Sequence, residues 1–133
     1  MMRTRGIVVV LGVSALLAGV ALAAGFAKGM LDGKTFSGTL GEKGTTKGDK
    51  DDYIFQDGTF RSTACDAYGF SAAAYTAKTE GDVITFESTT SSAKEGEMAW
   101  KGTVKGDAIA GTTVWKKAGK PPKDYWFKGA LKK

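Results

Sequence analysis

Met98-Ala99-Trp100-Lys101-Gly102-Thr103-Val104-Lys105-Gly106-Asp107-Ala108-Ile109-Ala110-Gly111-Thr112-Thr113-Val114-Trp115 is the stretch that decides the fold. On each side of Gly106-Asp107 the side chains alternate with a period of two. That period marks a strand with one buried face, and glycine beside aspartate marks a tight turn that needs positive φ. The stretch is read as a β-hairpin. Its inward face carries Met98, Trp100, Gly102 and Val104, then Ile109, Gly111, Thr113 and Trp115.

Outward from this hairpin the pattern repeats. Turn glycines stand at Gly33, Gly58, Gly81 and Gly106, spaced 25, 23 and 25 residues apart, each beside an aspartate. Asp32-Gly33-Lys34-Thr35-Phe36 echoes Asp57-Gly58-Thr59-Phe60, and Gly81-Asp82-Val83-Ile84 echoes Gly106-Asp107-Ala108-Ile109. One such unit is a hairpin's worth of chain, so four units predict eight strands. They are placed near 34–40, 51–56, 59–64, 70–79, 83–89, 97–104, 108–116 and 124–131. Tight turns then fall at one end of the sheet. The longer loops 41–50, 65–69, 90–96 and 117–123 fall at the other.

Eight consecutive antiparallel strands of this size usually close on themselves, because closure removes exposed edges, with a two-sheet sandwich as the main rival. The expected fold is all-β, an eight-stranded antiparallel up-and-down barrel. Phe36, Leu40, Phe60, Ile84, Phe86, Tyr125, Phe127 and Leu131 join the inward face, while Lys34, Arg61, Glu87, Lys101, Lys128 and Lys132 face water. Tyr53 and Trp126 fall on the outer side, unusual places for large rings. Four times a large apolar residue is followed two positions later by glycine: Phe36-Gly38, Trp100-Gly102, Ile109-Gly111 and Phe127-Gly129. Inward glycines of this kind let strands bend and make room for a neighbouring ring.

The beginning of the chain has the parts of a secretory leader. A basic start with Arg3 and Arg5 precedes an apolar run over residues 6–24, ending in Ala21-Leu22-Ala23. Residues 1–23 are expected to be a cleaved signal peptide, leaving 24–133 as one domain; an uncleaved membrane anchor is the other reading, since the run is nearly long enough to span a bilayer. No cysteine follows the leader for lipid attachment, and no membrane span is expected after cleavage. The location implied is periplasmic or secreted. Both leader arginines leave with it, so 17 Lys and Arg face 14 Asp and Glu, too mild an excess for nucleic acid.

The eight-strand meander, with Trp100-Lys101-Gly102-Thr103-Val104, the Gly106-Asp107 turn and the closing Tyr125-Trp126-Phe127-Lys128-Gly129, resembles the small bacterial lipocalin-like (calycin) barrels. The resemblance spans the whole segment after the leader. It departs from typical lipocalins near the first strand, where no Gly-x-Trp occurs. What it implies is ligand holding by the barrel, without naming the residues that would do it.

The chain has no histidine and one cysteine. This removes the common general base, the histidine-assisted nucleophiles and a structural zinc site, so neither enzyme chemistry nor a metal or cofactor is expected. Asp49, Asp51 and Asp52 lack the spacing of a calcium loop and are read as a solvated loop flank. Cys65 lies in a long loop at the wide end, and Asp66 beside it disfavours the thiolate. It is expected to be buried and inert, with a disulfide-linked dimer or a reactive thiol as the other readings.

The candidate ligand site gathers at that same end. Tyr68 and Phe70 stand in the loop, Phe86, Trp100, Trp115 and Phe127 line the interior, and Lys116, Lys120 and Lys123 border the mouth. These residues fit a small apolar or amphipathic ligand, with the lysines favouring an anionic one. The other function class is a protein-interaction module of the cell envelope, an inhibitor or assembly factor, with a filled barrel.

Overall fold

The structure is a computed structural model that describes residues 29–133. The expected signal peptide at 1–23 lies outside the described residues. Eight strands follow in order: β1 (Thr35–Glu42), β2 (Asp49–Gln56), β3 (Thr59–Ser62), β4 (Ala73–Glu80), β5 (Val83–Ser92), β6 (Gly96–Lys105), β7 (Ala108–Lys116) and β8 (Lys123–Leu131). Every neighbouring pair is antiparallel. β1 also pairs with β8, with Gly38 opposite Gly129, which closes the barrel. The meander expected from the glycine repeat is the one observed.

The tight turns sit where the Gly-Asp pairs put them. Asp57 and Gly58 take φ of 53° and 75°, Gly81 takes 65° and Gly106 takes 58°, values at which glycine escapes the Cβ clash. The hairpin of the opening stretch is in full register, with Trp100 opposite Thr113 and Gly102 opposite Gly111.

Three features differ from the sequence reading. The strand expected over 59–64 stops at Ser62, and Thr63–Tyr68 form a 3-10 helix (η1) that crosses the wide end. Asp51 explains the switch. It is inward-facing on β2 and only 3% exposed, and its carboxylate accepts the Ser62 hydroxyl, the Thr63 hydroxyl at 3.3 Å and the Ala64 N–H at 2.9 Å. A buried carboxylate at the start of a helical turn satisfies donors that a strand would offer to a neighbour. Consequently β3 pairs with β4 over just Thr59–Ala74 and Phe60–Ala73. Asp51 is thus no solvated flank.

Tyr53 is the second correction. It shares the inward parity of Asp51 and Phe55, is fully buried, and donates its hydroxyl to the Thr39 carbonyl at 2.7 Å. The third is at the narrow end, where residues 29–33 plug the barrel. Leu31 is fully buried, Gly33 N–H reaches the Phe55 carbonyl at 2.8 Å, and Asp32 accepts the Gly58 N–H and the Tyr75 hydroxyl.

The interior is filled with rings. Phe36, Tyr53, Phe55, Phe60, Tyr75, Phe86, Trp100 and Phe127 are each at most 2% exposed and meet one another at centroid distances of 5.0 to 6.4 Å. The inward glycines make this possible. A Cβ on Gly102 would lie 2.7 Å from Phe127 Cζ and 2.8 Å from Phe86 Cε1, so those rings occupy the space a side chain would take. The glycines therefore admit rings and close strand contacts; they do not carve a deep cavity.

Candidate functional site

Concavity survives at the wide end, above the ring core. A cleft of about 540 Å³ opens between η1 and the long loops. Its apolar wall comes from Leu40 on β1, Cys65 and Tyr68 on η1, Phe70, Met98 on β6, Trp115 on β7 and Tyr125 on β8. Glu42, Lys47, Asp49, Glu95 and Lys123 supply its charged groups.

The wall is built by strand parity and by the loops. Leu40, Met98, Trp115 and Tyr125 lie close to the long-loop ends of four different strands. Trp115 is held in place by its indole N–H, which donates to the Glu95 carbonyl at 2.7 Å. Tyr125 stands opposite Glu42 across the β1–β8 pair. Burial raises its phenol pKa, and the nearby Glu42 charge raises it further. η1 is fastened on its inner side by Asp51 and on its outer side by Arg61. The Arg61 guanidinium grips Asp66 with two hydrogen bonds, at 3.1 and 2.6 Å. Tyr68, at the end of η1, is 60% exposed and overhangs the cleft.

Of the residues singled out in the sequence, Cys65, Tyr68, Phe70, Trp115 and Lys123 come together here. Phe86, Trp100 and Phe127 do not; they belong to the sealed core below, because the rings pack against the glycine pairs. Lys116 is outward-facing opposite Glu97, and Lys120 is exposed in the β7–β8 loop; neither lines the cleft. Lys123 does, but its ammonium lies 3.7 Å from Glu42. Lys117 is likewise engaged, 3.4 Å from Glu95. Glu42 and Glu95 had no place in the sequence reading. A usable signal did exist for Leu40, Met98 and Tyr125: each is an inward residue close to a long loop.

Cys65 is 5% exposed, with its Sγ 3.5 Å from the Ser62 hydroxyl and 3.5 Å from Met98 Sδ. Burial pushes its thiol up to about 11, with Asp51 and Asp66 adding to the rise and the Ser62 hydroxyl opposing it. A thiol held this high carries little thiolate near neutrality, and the thiolate is the reactive form. Trp126, the other outer ring, is covered by its own chain. Its indole N–H donates to the Thr45 carbonyl at 2.9 Å, and its ring lies over Gly41, where a Cβ would come within 2.4 Å. Lys128 Nζ stands 5.6 Å from the ring centroid.

Among the described residues, no three His, Cys, Asp or Glu side chains converge as metal ligands, and no helix is long and apolar enough to cross a membrane. Comparison with protein-family models, with curated proteins and with solved structures gives no significant match. The functional reading rests on the geometry and chemistry of the cleft.

Proposed function

We propose that this protein is an exported, non-enzymatic barrel, lipocalin-like in plan, that binds a small apolar or amphipathic molecule at its long-loop mouth. The carrying observation is the cleft of about 540 Å³, walled by Leu40, Met98, Trp115, Phe70, Tyr68 and Tyr125. A concave, mostly apolar site with a few polar groups at its border is the usual form of a small-molecule site. The filled core below sets the depth: a ligand rests between the loops and is not swallowed by the barrel. Export is supported by the leader-like composition of residues 1–23.

Native mass spectrometry of the protein purified from its own cell envelope tests this reading. A retained small molecule that is lost on Trp115→Ala is expected. An empty protein whose tryptophan emission ignores neutral apolar probes would remove the proposal.

A second reading, a protein-interaction module, draws support from the sealed interior and from the exposed Tyr68 ring beside the mouth. It becomes the leading one if crosslinking captures a partner whose binding is abolished by Tyr68→Ala while small apolar probes never bind.

A further inference from the structure

We infer that the cleft selects an amphiphile with a soft organic cation as its head, such as a quaternary ammonium, and disfavours an anionic one. This rests on the reading of the cleft as a small-ligand site and reverses the anion preference that the lysine-rich loop implies.

The charges come first. Three carboxylates, Glu42, Asp49 and Glu95, line the cleft against two lysines, Lys47 and Lys123. Lys123 is paired with Glu42, and Lys117, from just outside, is paired with Glu95. Lys116 and Lys120 do not line the cleft. An anion would therefore find at most Lys47 without a paired acid, and Asp49, two residues further along the chain, lines the same cleft.

With the charges close to balanced, the rings decide. Tyr68, Trp115 and Tyr125 are electron-rich, and the face of such a ring attracts a cation and repels an anion. These faces are not spent on one another. The close ring pairs among the described residues run within the core set, and none includes Tyr68, Phe70, Trp115 or Tyr125. Four unstacked rings around an open space, with carboxylates nearby, form the kind of cage that receives a weakly hydrated ammonium. Trp115 cannot turn away, since its N–H is tied to the Glu95 carbonyl. Leu40 and Met98 supply apolar contact for a short tail.

Calorimetric titration at low salt with three eight-carbon amphiphiles, all below their micellar concentrations, tests the inference. They are octyltrimethylammonium, octyl glucoside and octyl sulfate. The trimethylammonium compound is expected to bind about tenfold more tightly than the sulfate. Tyr68→Leu combined with Asp49→Asn should weaken trimethylammonium binding more than glucoside or sulfate binding, and so remove most of that preference. Both residues are surface-exposed, so the fold is retained. Equal or tighter binding of the sulfate would overturn the inference and leave the cleft reading standing, as would a preference that persists in the double variant. Failure of all three amphiphiles to bind would instead overturn the cleft reading itself.

Discussion

Asp51 organises the mouth through one carboxylate. It takes the hydroxyls of Ser62 and Thr63 and the Ala64 N–H, and so converts the end of a strand into the turn that carries Cys65 and Tyr68. Asp51→Ala removes the acceptor shared by the Ser62 and Thr63 hydroxyls and the Ala64 N–H, and a loss of about 2–4 kcal/mol in urea unfolding is expected. Thr113 offers the opposite case. Its hydroxyl is fully buried and lacks a hydrogen-bond partner, so Thr113→Val should be neutral or stabilise by up to about 1 kcal/mol. A clear loss would show that the hydroxyl is engaged. For Cys65, non-reducing electrophoresis should show a monomer, and thiol labelling should keep accelerating past pH 9, where an ordinary thiol levels off. A plateau by pH 9 would contradict the buried thiol. Because the folded state holds the Cys65 and Tyr75 protons more tightly, at about 11 and about 12, their contribution to stability is complete below the ordinary values of 9.0 and 10.0. It is lost as pH rises through the raised ones, and Tyr53 shifts in the same direction. Thermal midpoints should therefore fall steeply above about pH 10; a flat profile to pH 12 would rule this out.

Among the elements, the glycine pairs separate two uses of the same residue. A Cβ on Gly111 would meet the Lys101 carbonyl oxygen at a distance that backbone cannot give, and Phe127 Cζ at 2.8 Å. Gly111→Ala is expected to cost more than about 2 kcal/mol or prevent folding. Gly81 has open space around it and a φ of 65° that asparagine accepts, so Gly81→Asn should stay within about 1 kcal/mol of the parent. Equal losses at the two positions would mean that the barrel wall tolerates displacement there. The strands and tight turns were legible because period-two alternation and Gly-Asp turns are local signals. η1 was not: Thr63, Ala64 and Cys65 suit a strand as well as a turn, and the deciding contact comes from Asp51, eleven positions from Ser62. The acidic character of Asp51 also hid the inward parity of its strand and placed Tyr53 on the wrong face.

In the whole molecule, one sealed core of rings leaves the open concavity at the rim. Sequence parity correctly marked Phe86, Trp100 and Phe127 as inward. It did not show how far down the barrel the packing reaches, because that depends on rings from several strands meeting around Gly102 and Gly111. For the same reason, ion pairs between residues far apart in the chain, Lys123 with Glu42 and Lys117 with Glu95, were invisible until the strands closed. The three tryptophans report on three separate places: Trp115 at the cleft, Trp100 in the core with its N–H on Thr90, and Trp126 on the outer wall. Their indole N–H signals, followed by NMR during titration with octyltrimethylammonium, test the central claim of a filled barrel with a binding mouth. The Trp115 signal should move while Trp100 and Trp126 stay in place. Movement of Trp100 with Trp115 unchanged would put the ligand inside the barrel and contradict the account.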